Sequence, residues 1–502
     1  MDKLLCSPLR LAAVLALMAL AAGCGRQPSA DEPAGDANQQ AGRYLVGAHY
    51  YLWYPENFAH GHLRGNLQPP QVPQAGAYDS HDVRVIENHI DACSRYGIDF
   101  LTLDWWPGRT NQNLIISDSF LKARNIRDIR FCIFFETWAL GFNSDYGCTE
   151  FNDATRRRFA EEMGGIADRF FSHPSYLRIQ GRPVVMLYLT RTFTGDYRAA
   201  LNDFRRASRA KGYDPFVVGD EVFWKTSPIV VPGQRPFPLT EEPQPVRIRC
   251  FDAITAYNMY ENGNTTQRGY GESSTFIADV SAKYAQFVSA AAPNTCFIPS
   301  IIPGYNDRGV RPSLDHYAIP RQWSPGGAEG SFLSHGFDSL AFPFLDRRLN
   351  MLLVTSWNEW NEDTAIEPLR PAGPTRKDSS ETGEFFTQGY AYAGHGTAYL
   401  EVVRDKVVAV CGRATDRNQR PVRAAEVAAR QGRVTVTGQT NRRGYYRISR
   451  LRLHPGDCSV SAAGQSSNVT LSATGAVTGV DFVLELPEEH DGKEGRKQAE
   501  RK

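Results

Sequence analysis

Charge imbalance is the first thing this 502-residue chain lacks: 56 lysines and arginines face 55 aspartates and glutamates, a formal net charge of +1. No global field steers it toward nucleic acid or an anionic surface, so a nucleic-acid partner is not expected. Nine cysteines contain no Cys-x-x-Cys pair and no zinc spacing, which removes a structural metal. Neither a metal nor a cofactor is expected. No glycine-rich phosphate loop follows any early strand candidate, and no Asp-x-Asp site for a metal and a nucleotide-sugar donor is evident. The apolar run from Leu11 to Ala22 is too short to span a bilayer.

What the chain has in quantity is aromatic residues: 8 Trp, 22 Tyr and 27 Phe, a content that suits carbohydrate binding and equally any large core. Its length fits one large barrel plus a smaller module. Lys3 and Arg10 flank the early apolar run as an export signal does. The run ends in Leu20-Ala21-Ala22-Gly23-Cys24, which resembles a bacterial lipoprotein box. Residues 1–23 would then be a signal peptide, Cys24 the lipidated first residue, and 24–43 a flexible tether. Ala21 stands where the box prefers Leu, so plain secretory cleavage after Ala21 stays open. The expectation is an exported, membrane-anchored lipoprotein, periplasmic or at the cell surface, or else a secreted protein; a monomer is expected. With Cys6 and Cys24 set aside, seven cysteines remain. Cys411 and Cys458, both in the C-terminal part, are the candidate disulfide.

From Tyr44 onward, short apolar runs alternate with longer amphipathic segments, the pattern of repeated βα units. Eight strands are predicted over 45–51, 98–105, 129–136, 183–189, 215–220, 251–257, 297–302 and 351–356. Helices are predicted over 81–96, carried by Val83, Ile86 and Ile90, and over 153–171, carried by Phe159, Met163, Ile166 and Phe170. Eight strands with intervening helices fit a (β/α)8 barrel over 44–405; a doubly wound open sheet is the alternative.

The strand ends share one character. The first runs into Tyr50, Tyr51 and Trp53, the second into Asp104, Trp105 and Trp106. The third ends at Glu136 with Trp138 beyond, and the fourth at Tyr188. Asp220, Glu221 and Trp224 follow the fifth; Tyr257 and Asn258 follow the sixth. Barrel active sites are built at the C-terminal ends of strands, so this bias reads as a cleft lined for sugar. The eighth strand ends in Ser356-Trp357-Asn358-Glu359-Trp360-Asn361-Glu362-Asp363. Aromatic faces suit sugar rings, and paired carboxyl groups are the usual equipment for breaking glycosidic bonds. A straight strand would place Glu359 and Glu362 on opposite faces, so the chain must turn there to bring both into one cleft.

Ser356 to Glu362, with Ile366-Glu367-Pro368, resembles the signature of glycoside hydrolase family 99 and its WbsX-type relatives, the latter described as glycosyltransferases of polysaccharide loci. Val46 to Tyr54 and Gly97 to Trp106 resemble the same group. The resemblance implies a metal-independent, retaining (β/α)8 enzyme acting on α-linked mannan-type glycans, with Glu359 and Glu362 catalytic. Glu359 would act as base on the sugar 2-OH to form an anhydro-sugar, and Glu362 would protonate the leaving oxygen and later activate water. Tyr50, Tyr51, Trp53, Asp104, Trp105, Trp106, Glu136, Tyr188, Asp220, Glu221, Tyr257, Asn258, Trp357, Asn358 and Trp360 would contact substrate. Asp363 departs from the family, which has Gly there, and would add a third acid beside the pair.

A polar insertion over 370–383 precedes a predicted closing helix over 391–404. From residue 406 the texture changes to short alternating strands, predicted over 407–410, 422–427, 433–438, 444–448, 458–462 and 480–486. They make a small β-sandwich over 406–486. Val410 to Ala414, Thr440 to Tyr446 and Leu453 to Gly456 resemble carboxypeptidase-regulatory-like modules. Residues 487–502 are almost devoid of apolar side chains and are predicted disordered. Three functions stay open: a surface-tethered glycosidase acting on an oligo- or polysaccharide, a WbsX-type glycosyltransferase, and a non-catalytic glycan-binding lipoprotein.

Overall fold

The computed structural model describes residues 42–226, 239–261 and 273–485. The predicted signal, Cys24 and nearly all of the tether, together with the charged tail, lie outside them. All eight predicted barrel strands form: β1 (Leu45–Tyr50), β2 (Phe100–Trp105), β3 (Arg130–Phe135), β4 (Arg182–Leu187), β5 (Phe216–Asp220), β6 (Ala253–Thr255), β7 (Cys296–Ile298, resuming after Pro299 as Ser300–Ile301) and β8 (Met351–Val354). Every neighbouring pair is parallel. Met351 sits opposite Leu45, and the two halves of β7 reach β6 and β8. The sheet therefore curls into a nearly closed barrel, as the eight-strand spacing predicts and the open sheet does not.

The strand interiors are buried on both sides, which is why they read as continuous apolar runs without alternation. Gly47 lies on β1 because a Cβ there would meet the Phe100 ring at 2.2 Å. Of the outer helices, α1 (Val83–Tyr96) is capped by Asp82, whose side chain accepts from the Arg84 N–H, and ends at Gly97 with φ 110°. The second predicted helix is α2 (Asp153–Phe170), capped by Asn152 and buried through Phe159, Met163, Ile166 and Phe170. It is followed by α3 (Tyr197–Arg209), α4 (Ser273–Ala291) and α5 (Ala398–Val407).

Three expectations are corrected. The closing helix starts at Ala398 rather than 391, because Tyr392–Gly394 pairs antiparallel with Ala372–Thr375 from the polar insertion. The C-terminal part forms two sheets around a shared core that includes Val410, Val427, Tyr446, Ile448 and Val460. Their strands are β9 (Val408–Thr415), β10 (Glu426–Gln431), β11 (Val434–Gln439), β12 (Tyr445–Ser449), β13 (Gly456–Ala462), β14 (Gln465–Leu471) and β15 (Phe482–Val483). The sequence pattern misses β14, an edge strand whose one buried residue is Leu471. Cys411 and Cys458 are both free thiols. Cys411 packs against the barrel core and Cys458 lies in the sandwich core, so their side chains leave β9 and β13 toward different cores.

The sandwich is joined to one end of the barrel. Arg447 Nη2 donates to Asp99 Oδ1 at 2.7 Å, Asn441 Nδ2 to Ser94 Oγ at 3.0 Å, and the Arg442 N–H to Asp128 Oδ2 at 3.0 Å. Asp99 and Asp128 precede β2 and β3, and Ser94 lies in the last turn of α1. The sandwich thus covers the floor, leaving the C-terminal strand ends for the site.

Candidate active site

Those strand ends surround a cavity of about 710 Å³. The size suits a short run of sugar residues. The eighth strand delivers the carboxylates through a tight turn. The Ser356 N–H donates to Thr364 O at 2.9 Å, the Ile366 N–H to Ser356 O at 3.1 Å, and the Glu359 N–H to Ser356 Oγ at 2.7 Å. This turn places both Glu359 and Glu362 in the cavity wall. Glu359 Oε1 accepts from the Asn361 N–H at 3.1 Å. Glu362 Oε2 accepts from Tyr260 Oη at 2.6 Å, and Oε1 from Arg311 Nη1 at 3.2 Å.

The two glutamates differ electrostatically. Burial, reinforced by the charge of Glu362, holds Glu359 well above the ordinary carboxylate range. Burial also raises Glu362, but the Arg311 guanidinium opposes it. A second acidic pair stands across the cavity. Burial pushes Asp104 up to about 7, and burial with the Asp104 charge beside it pushes Glu136 well above the usual range. Asp104 Oδ2 accepts from Trp106 Nε1 at 2.5 Å and Gln112 Nε2 at 3.2 Å; its Oδ1 is buried without a partner of good geometry, and the Glu136 carboxyl lies beside this group. Neighbouring buried carboxyls resist ionising together, and both burial and the Asp104 charge favour the neutral form of Glu136 at the cavity wall.

Of the predicted contact residues, Tyr51, Trp53, Trp106, Glu136, Tyr188, Tyr257 and Asn258 line the cavity with the two glutamates. Tyr51 and Trp53 are stacked on each other with ring centroids 4.2 Å apart, which makes this part of the wall aromatic. The other predicted contacts stand behind this wall. Tyr50 Oη bonds His89 and Trp105 Nε1 donates to Glu162. Asp220 is buried against Arg191, and Glu221 against Arg247. Trp357 and Trp360 are fully buried core residues, with Trp360 Nε1 donating to Glu367. Asn358 clamps the backbone of Tyr51 through both ends of its amide. These residues shape the cavity without lining it, because alternate side chains at a strand end face the outer layer.

Asp363 is not a third acid in the cavity. It is buried with φ 51°, the left-handed region that favours glycine. Arg64 Nε donates to its Oδ1 at 2.7 Å, Arg321 Nε to its Oδ2 at 2.8 Å, and Arg321 Nη2 to its carbonyl at 2.5 Å. The two guanidiniums hold its carboxyl below the usual range against burial. His49, also buried, is held down to about 3 by burial and hydrogen-bonds Thr102, so it stays neutral in the barrel core.

The wall also contains residues that the sequence pattern did not single out, among them Asn57, Arg191, Phe223 and Arg311. Arg311 lies in the long β7–β8 connection, where no strand end points to it. Trp138 and Trp224, noted beyond their strands, line the cavity as well.

The fold and the site define a (β/α)-barrel protein with an aromatic cleft around paired carboxyl groups. A family model described as Glycosyltransferase WbsX matches residues 47–375, well over half of the chain, and the chain belongs to that family. The "Glycoprotein endo-alpha-1,2-mannosidase" of Rattus norvegicus is 21% identical over 363 residues, 65% of this chain and 68% of that protein. The "Glycoprotein endo-alpha-1,2-mannosidase-like protein" of Homo sapiens is 22% identical over 371 residues, 66% and 70% of the two chains. A solved "Glycoside hydrolase-like protein" superposes with a TM-score of 0.51 at 19% identity, covering 73% of this chain and 94% of that one, and shares the fold.

Proposed function

We propose that this protein is a retaining glycoside hydrolase acting on α-linked, mannan-type glycans. The observation that carries the reading is the entry of Glu359 and Glu362 from one turn into an aromatic-walled cleft. Likeness to endo-α-mannosidases supports the substrate class. In the first step the sugar 2-OH gives its proton to Glu359 while O2 bonds to C1. The C1–O bond to the leaving group breaks, and Glu362 gives its proton to that oxygen. In the second step Glu362 takes a proton from water as it attacks C1, the C1–O2 bond opens, and Glu359 returns its proton to O2. The 2-OH route suits a base and an acid that both begin in a low-dielectric wall. No step calls for a metal.

The test is a panel of α-linked oligosaccharides with product analysis, run on wild type, Glu359→Gln and Glu362→Gln. Each variant should lose about 10²–10⁴-fold in kcat while keeping its fold. Turnover retained in both would sink the assignment, and glycan binding without product from wild type would leave a binding protein. The family description favours a second reading, a glycosyltransferase. Product that appears only when nucleotide-sugar donors are supplied would establish it instead.

The export signal and lipoprotein box motivate a second proposal, that the protein is anchored to a membrane by lipid at Cys24 and works there as a monomer. Labelled palmitate should enter wild type and not Cys24→Ala, and the variant should move to the soluble fraction. Unlabelled wild type would overturn the anchor.

A further inference from the structure

Among the described residues, Arg311 is the one cation hydrogen-bonded to the proposed acid, and its surroundings leave it two places to be. Its Nη1 bridges Glu362 Oε1 at 3.2 Å and Asp307 Oδ2 at 3.0 Å. The Arg311 side chain is 49% exposed in the cavity wall, whereas that of Asp307 is 1% exposed. Asp307 is held from behind by His316 Nδ1 at 2.7 Å, again on Oδ2. Its other oxygen, Oδ1, is buried and makes no well-formed hydrogen bond, the Tyr305 hydroxyl being the group that interacts with this carboxyl from the other side. A buried carboxylate oxygen without a donor costs about 1–3 kcal/mol, and a guanidinium fork is the group best shaped to supply both oxygens at once.

Glu362, meanwhile, has both oxygens engaged, Oε2 by Tyr260 and Oε1 by Arg311. An acid that must hand a proton to a glycosidic oxygen needs one lobe free. Tyr260 is buried and does not line the cavity, whereas Arg311 does, so the lobe that a ligand can reach is the one Arg311 holds. We propose that Arg311 is a mobile positioning residue for Glu362. A sugar seated on the leaving-group side moves its guanidinium off Oε1 and onto Asp307 as a two-pronged pair, which releases Oε1 to act as the acid. This rests on the hydrolase reading above and deepens it.

The proton traffic balances within the glutamate pair. With Arg311 on Glu362, the guanidinium favours the ionised form of Glu362, while burial and the charge of Glu362 favour a proton on Glu359. Withdrawal of the guanidinium makes Glu362 the better proton holder. The proton passes from Glu359 to Glu362, leaving a carboxylate base opposite the 2-OH and an acid opposite the leaving oxygen. The other groups facing Glu362 are Glu359, Asp307 and Glu261, with the hydroxyls of Tyr257, Tyr260 and Tyr305. None of these is a second cation. Among the described residues, Arg311 alone supplies the positive charge that the switch removes.

The experiment compares wild type, Arg311→Met and Arg311→Lys on two substrates with the same sugar, an alkyl-type glycoside and a glycosyl fluoride. Fluoride departs without a proton, so it bypasses the acid. In Arg311→Met the alkaline limb of kcat/KM on the alkyl glycoside should move up by about one to three pH units, since the neighbouring cation no longer favours ionised Glu362. The fluoride profile should keep its position, and Arg311→Lys should restore most of the wild-type limb. A limb that stays put, or moves equally on both substrates, would overturn the switch while leaving the hydrolase intact. If wild type cleaves neither substrate, the hydrolase reading fails. A ¹³C titration of Glu362 in the free protein then decides for Arg311: a midpoint unchanged in Arg311→Met removes its hold on Glu362.

Discussion

Asp104 and Glu136 show how a single proton can be written into a wall. Asp104 is pushed up to about 7 in the folded protein, above its ordinary 3.8, because burial strips water from its charged form. The folded state therefore keeps a proton that the unfolded chain gives up, and stability falls as pH rises from about 4 to about 7. Asp104→Asn removes that dependence while still offering an N–H to Glu136. It should stabilise the protein by about 1–3 kcal/mol at pH 8 and by roughly a third of that at pH 5. Urea denaturation at the two pH values measures the difference, and an equal effect at both would refute the retained proton. The pairing itself was not readable from the chain. Asp104 and Glu136 each stood out as strand-end acids, but their contact exists only because β2 and β3 pair in the register Asp104 to Phe134.

At the scale of the element, the turn after β8 turns on Asp363. A residue with φ 51° without a glycine's freedom carries about 1–2 kcal/mol of strain. Here Arg64 and Arg321 tie it down from opposite sides. Asp363→Asn should cost about 3–5 kcal/mol at pH 7, because it leaves buried guanidinium charge uncompensated. Since the carboxyl's folded pKa is lowered, its contribution is present above about pH 4 and disappears as pH falls through the lowered value. Asp363→Gly relieves the strain and still loses the pairs, so it should cost about 2–3 kcal/mol. Guanidinium unfolding separates the two; an Asp363→Gly variant more stable than wild type would show that the clamp is idle. The same turn marks how far the sequence could be read. The apolar run and the two glutamates located it, and the need for a turn followed from strand geometry. Trp357 and Trp360 looked like sugar platforms, however, because nothing in a sequence tells an aromatic that faces the cleft from one that faces the helix layer. The Asp363 clamp was equally hidden, since its partners come from 299 residues before it and 42 residues before it.

At the scale of the whole molecule, barrel and sandwich share a polar seam. Asp99 accepts from both the Val46 N–H and Arg447, so it ties β1 of the barrel to β12 of the sandwich. Arg447→Met should lower the melting temperature by a few degrees, at a cost of about 1–2 kcal/mol, with kcat unchanged because the seam lies at the end away from the cleft. A drop in kcat without a change in melting would point instead to long-range coupling. The barrel count, the sandwich and their order were legible because periodicity changes character near residue 406. Their seam was not legible, since it rests on single polar pairs between segments more than 300 residues apart.

The same floor receives the start of β1, where the Tyr44 N–H donates to Ser449 Oγ at 3.1 Å. Gly42, where a Cβ would sit 3.5 Å from the Arg452 side chain, lies on the sandwich side as well, while the barrel strands point their C-terminal ends the other way. A bead, a sensor chip or a fusion partner joined through that side would look at the molecule's back. Its cavity mouth would remain turned outward, open to the surrounding solution.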